Sequence, residues 1–325
     1  MQSTPITFRD LIAANQRNSI GLVVLFCVGT VAIALVLGLG IIGLGDSAAL
    51  SRLSWAEGLL VGGIAAGVAL GIALLGYYRG DQMILSASHA RPVAHEDDPE
   101  LFNVVEEMAI AAGAPLPRLY LIEDSAPNAF ATGRDPQHAS IAITSGLRAK
   151  LTRDELQGVI AHEMSHIRNY DIRLMLLLAV LVGTIAILVD VFWQALRFTS
   201  FGGSRRRRSD NDSGGNAFGL VLLVLAVVLG LVAPFLAQIM QLAVSRQREY
   251  LADASAVELT RYPLGLASAL RKIDADPEVL EVANRGTAHL YIANPIKGFE
   301  ARAQSMLSSH PPIQDRIARL EVLSR

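Results

Sequence analysis

The sequence has one cysteine, Cys27, and it falls inside an apolar run. No disulfide can therefore form within the chain, and nothing calls for an oxidising compartment. Charge is also scarce. Asp, Glu, Lys and Arg make up 18% of the residues and the net charge is −2, which excludes the broad basic footprint of a nucleic-acid partner. The one dense basic run, Arg205 to Arg208, lies in a stretch rich in Gly, Ser, Asp and Asn and reads as a loop. Aromatic residues are few, at 6%, while hydrophobic residues reach 52%, too apolar a balance for an ordinary soluble domain.

What is present in place of charge is long hydrophobic sequence. Residues 20–45 and 59–76 carry no charge, and 174–196 and 217–244 are nearly as apolar, with Asp190 interrupting the former. A membrane-crossing helix needs about 20 such residues, so four candidate spans are expected. A polar stretch precedes the first span, so it reads as a retained anchor and not a cleaved signal. Four segments follow: a two-span anchor over 1–79, a first soluble piece over 80–173, a hydrophobic hairpin over 174–244 and a second soluble piece over 245–325. The two soluble pieces together have a normal domain size, which predicts one globular domain interrupted by the hairpin. Eight arginines flank the spans on the domain side and six on the other. That balance favours a cytoplasmic domain by the rule that basic residues stay inside.

Within the first soluble piece, the apolar spacing of residues 99–113 predicts an amphipathic helix stopped by Gly113. A strand is expected over 117–122, followed by a short antiparallel pair over 128–132 and 139–144. The fold class is therefore mainly α with a small antiparallel sheet. Thr152 followed by Glu155 has the capping-box pattern and opens the next helix.

That helix carries His162, Glu163 and His166 in the pattern HExxH. Histidines four residues apart share one helix face, so both imidazoles can reach one Zn²⁺, while Glu163 beside them can act as general base. The bland alternative is a pair of histidines on a solvated face, in which case no third ligand should exist. Downstream, Glu249 and Asp253 lie four apart on another predicted helix. Glu249 supplies a third ligand, and Asp253 a carboxylate able to hold the outer nitrogen of a bound histidine. The chemistry predicted is peptide hydrolysis by activated water. Donors for the developing oxyanion are sought among His310, Tyr291, His289 and Arg316. An extended substrate is expected to add as a strand at Asn128, Ala129, Phe130 and Ala131.

The segments AHEMSHIRNYDIR, SRQREYLADASAVELT, AHLYIANP and SSHPPIQDRIARLE, set between the hydrophobic runs, make the chain resemble the HtpX-like membrane metalloproteases. These are relatives of the CAAX prenyl endopeptidases within the gluzincins. The resemblance implies one zinc ion on His162, His166 and Glu249, with Glu163 as base. It favours His310, in the HPP element, as a further catalytic residue, and makes Asn128–Ala131 part of a substrate-binding edge strand. It also implies an integral protein of the bacterial inner membrane whose catalytic domain faces the cytoplasm and acts on misfolded or damaged membrane proteins. Two alternatives are a prenyl-protein endopeptidase, whose relatives have more spans, and a zinc-binding chaperone or scaffold without hydrolysis, which would not need Glu163.

Overall fold

The computed structural model describes residues 55–201, 248–281, 290–293 and 311–324, with isolated helical positions at 21, 24, 28, 29, 31, 32, 35, 36 and 227. Cys27, the Arg205–Arg208 run, His289 and His310 lie outside the described residues. In order, the elements are α1 (Trp55–Ala87), β1 (Arg91–Pro92), α2 (Pro99–Ala112), β2 (Arg118–Ile122), β3 (Ala129–Gly133), β4 (Ala139–Thr144), α3 (Ser145–Lys150), α4 (Arg153–Arg168) and α5 (Asp171–Phe201). After these come α6 (248–260), α7 (Pro263–Ala275) and α8 (Ile313–Val322). The chain divides into two compact units, one containing 76–179 and 239–325 and the other 18–75 and 180–238.

The sheet corrects one expectation. Its order is β1-β2-β4-β3, with β1/β2 and β4/β3 antiparallel but β2/β4 parallel. It is therefore mixed and not purely antiparallel. The difference lies in β4, whose six residues are all buried and which pairs with β3 on one side and with β2 on the other. The two faces separate by residue parity. Leu119, Ala129, Ala131, Ile141 and Ile143 join one core with α2, α4 and α7 residues. Ile122, Phe130 and Ala142 join another with Ile84, Leu85, Met175, Leu176 and Tyr291.

Helix α2 starts from Asp98, whose side chain accepts from Leu101 N, and stops at Gly113 in the left-handed region at φ 63°, where glycine carries no Cβ penalty. Helix α4 opens with the capping box: Thr152 accepts from the Glu155 backbone and Glu155 accepts from the Thr152 backbone at 2.8 Å. It packs against α2, α7 and β3, so twelve of its sixteen residues are buried, Glu163 and both histidines among them. Helix α8 in turn packs on α7.

The α4/α7 crossing is close enough to require glycine. A Cβ on Gly158 would lie 2.6 Å from the backbone nitrogen of Leu266, and backbone cannot swing aside as a side chain can. Gly158→Ala is expected to destabilise the protein by about 1–3 kcal/mol through overpacking, read as a lowered thermal midpoint. A midpoint equal to that of the wild type would mean the crossing relaxes freely.

Over the described residues, no helix is long and apolar enough to cross a membrane.

Candidate metal centre

Helix geometry places His162 and His166 one turn apart on α4, and α6 brings Glu249 to the same point. The two Nε2 atoms are 3.2 Å apart. Glu249 Oε2 lies 3.6 Å from His162 Nε2, and Oε1 lies 3.6 Å from His166 Nε2. A tetrahedral ion bonded at about 2.0–2.1 Å sets its ligand atoms about 3.3 Å apart, so this donor set fits one divalent metal. All three residues are buried. Nothing in ordinary folding asks for two imidazoles and a carboxylate to converge away from water, because burying such groups costs several kcal/mol unless they are compensated.

Each outer ring nitrogen has a carboxylate. Asp253 Oδ1 is 3.0 Å from His162 Nδ1, and Asp171 Oδ2 is 3.1 Å from His166 Nδ1. Such contacts fix the tautomer, so that Nε2 presents its lone pair to a metal. Asp171 was not singled out from the sequence. It lies five residues beyond His166 and starts α5, across a joint where Tyr170 has φ 61°, a left-handed conformation uncommon for a tyrosine. The signal was a buried-helix histidine followed by an acid at a spacing that only this joint brings back. Arg248, also buried, donates to the other oxygen of Asp171 at 3.2 Å.

Asp171→Asn is expected to lower metal affinity roughly 10–100-fold, measured by competition with a chromophoric chelator. Unchanged affinity would remove Asp171 from the site.

Burial and the charge of Arg316 both push the His162 imidazole down, but the Asp253 and Glu249 carboxylates outweigh them and hold it at about 9. Metal binding at His162 would release that proton. Burial pushes the Glu163 carboxyl up, with His162, His166 and Arg316 opposing it in part. Its Oε1 is buried and has no hydrogen-bond partner among the described residues, leaving that oxygen available to a reactant. Asp253 is held below the ordinary carboxylate range because Arg316 and His162 together overcome its burial.

Residues 95–324 match the profile of peptidase family M48. The chain belongs to that family. It is 49% identical over 247 residues to a protease HtpX homolog of Dictyoglomus thermophilum, covering 76% of this chain and 77% of the relative. To a protease HtpX homolog of Lactobacillus acidophilus it is 42% identical over 311 residues, covering 95% and 98%. It is similar to the crystal structure of S. mikatae Ste24p with a TM-score of 0.41 and 21% identity, over 79% of this chain and 64% of that one, less than two thirds of that protein's length. The M48 protein described here is a metalloprotease, and His162, His166 and Glu249 form a triad that can hold its metal.

The residues expected to bind substrate lie at and just before β3, the outer strand of the sheet. Asn128, Ala129, Phe130 and Ala131 are all buried, and the outer side of β3 is not open along its length. Ile292 N donates to Ala129 O at 2.9 Å, Phe130 bridges Tyr291 in antiparallel fashion, and Asn128 Nδ2 donates to Ala293 O at 3.2 Å. The physical reason is that β3 is buried on both faces, and buried backbone groups need partners; residues 290–293 supply them. Of the proposed oxyanion donors, Tyr291 packs edge-on against Phe130 at 5.1 Å and faces Ser88 with its hydroxyl. Arg316 lies against Asp253, Glu249 and His162.

Proposed function

We propose that this metalloprotease uses zinc, is anchored in a lipid bilayer, and cleaves unfolded segments of membrane proteins, with its catalytic domain in the cytoplasm. The observation that carries the catalytic part is the convergence of His162, His166 and Glu249 at ligand spacing beside the buried Oε1 of Glu163, which has no hydrogen-bond partner among the described residues. Two imidazoles and one carboxylate form a common catalytic zinc set that leaves a position for a reactant.

Zinc, when bound there, would polarise the scissile carbonyl and make water acidic enough to ionise near neutral pH. The chain's own residues do the rest. Asp253 and Asp171 hold the imidazole rings in place. Glu163, whose carboxyl burial pushes up, takes the proton from the attacking water and returns it to the leaving amine. β3 is the outer strand of the sheet, and an extended substrate adding its backbone along that strand would be held by main-chain hydrogen bonds. Pairing through main-chain groups demands little of the substrate's sequence, which suits unfolded polypeptide.

Anchoring is supported by the uncharged run 59–76 within α1. On that helix Leu60, Ile64, Val68, Leu70, Leu74 and Leu75 are between 49% and 63% exposed. A helix face that presents this many large apolar side chains suits an apolar surround. The role in membrane-protein quality control rests on the likeness to HtpX proteins.

The test uses the full chain in detergent with an unstructured protein substrate. Treatment with a chelator is expected to abolish cleavage and stoichiometric zinc to restore it, while magnesium does not. Equal cleavage by the chelated and zinc-loaded protein would overturn the assignment.

A further inference from the structure

Arg316 is among the largest fully buried side chains of the described residues, with no exposure at all. It sits in the first turn of α8, a helix held to α7, so its stem is carried on a packed support. Its Nε and Nη2 donate to the two oxygens of Asp253 at 2.9 and 2.7 Å, a forked pairing that fixes the carboxylate's plane. Nη2 also lies 3.4 Å from His162. Nη1 is 3.2 Å from Glu249 Oε2 and donates to the carbonyl of Ile292 at 2.8 Å. A guanidinium has five N–H donors in one rigid plane. Here both of its Nη groups and its Nε are already engaged, which leaves it ill placed to serve a transient oxyanion.

We propose that Arg316 is a positioning residue that clamps Asp253 against His162, balances the paired carboxylates of Asp253 and Glu249, and ties the ligand helix α6 to the 290–293 segment seated on β3. The assignment rests on the metalloprotease reading above and goes beyond it. One planar cation thereby sets the spacing between the metal ligands and the rim along which a peptide backbone would run. Neither the charge nor the length of the side chain suffices. Lysine carries the same charge, but its single ammonium cannot grip both oxygens of Asp253 while bonding a carbonyl on the opposite edge.

The test compares wild type, Arg316→Lys and Asp253→Asn as full chains in detergent. Each is loaded with zinc for kinetics and with Co²⁺ for its visible d–d absorption. Arg316→Lys is expected to shift the Co²⁺ bands and to lower both metal affinity and kcat/KM roughly 10–100-fold, the range for a group supporting a metal ligand. Asp253→Asn, which keeps Arg316, should shift the same bands, and the double variant should lose less than the product of the two single losses. A lysine variant with a lower melting temperature but wild-type Co²⁺ bands and affinity would make Arg316 a structural clasp and overturn the proposal. Should Arg316→Lys not fold, wild-type bands in Asp253→Asn overturn it equally. A wild-type chain that binds no Co²⁺ would bring down the metal reading and this assignment together, an outcome distinct from the others.

Discussion

Glu163→Gln lowers the rate of peptide cleavage by about 10²–10⁴-fold, the usual worth of a positioned general base, and leaves the metal in place. The amide has the shape of the carboxyl, so the packing of α4 should survive, but it cannot take a proton. Glu163 stands beside His162 in the sequence and is 1% exposed, yet its Oε1 has no partner among the described residues. A buried carboxylate oxygen without a partner among the described residues is expensive to maintain, and burial pushes the Glu163 carboxyl up from its ordinary value. The measurement is single-turnover cleavage of an unstructured substrate by zinc-loaded protein, with metal content determined on the same sample. Cleavage at the wild-type rate with zinc retained would show that another group takes the proton.

Glu249→Gln is expected to reduce metal affinity by at least the roughly 100-fold that marks the upper range for loss of a supporting group, because a ligand itself is removed. Activity at limiting zinc should fall with it and recover in part when zinc is raised. The fold should persist, since Arg316 keeps both oxygens of Asp253 and the amide fills the same space. Competition against a chromophoric chelator reads the affinity, and circular dichroism checks the fold. Affinity equal to that of the wild type would exclude Glu249 as a ligand, and with it the three-residue site.

These two residues were reachable from the sequence for different reasons. His162, Glu163 and His166 lie on one helix, where a spacing of four fixes their shared face before any tertiary contact forms, and the Thr152/Glu155 capping box marks where that helix begins. Glu249 and Asp253 share a helical face by the same rule, and their partnership with α4 could be inferred from the chemistry of a three-ligand site. The stop at Gly113 and the hairpin of β3 with β4 were equally local.

Asp171 and the role of Arg316 were not local. Asp171 reaches His166 only because the chain turns through a left-handed Tyr170, and Arg316 meets Asp253 across 63 residues of sequence. Sequence pattern reports periodicity, and periodicity is blind to contacts made by the docking of separate elements. The parallel pairing of β2 with β4 escaped for the same reason: neighbouring strands in the sequence suggest hairpins, whereas β4 also takes β2, a strand not next to it in the sequence, as a partner. So did the covering of Ala129 and Phe130 by residues 290–293.

The sequence alone determined the chemistry on offer, a pair of imidazoles beside a carboxylate on a well-capped helix with uncharged runs on either side, because helical spacing and hydropathy act within a few turns of chain. Only the tertiary structure decided which carboxylate holds which imidazole, which segment pairs with β3 and where a buried arginine closes the cluster. Those choices follow from the need to satisfy every buried charge and backbone group at once, a condition set by the whole packed core and by no single segment.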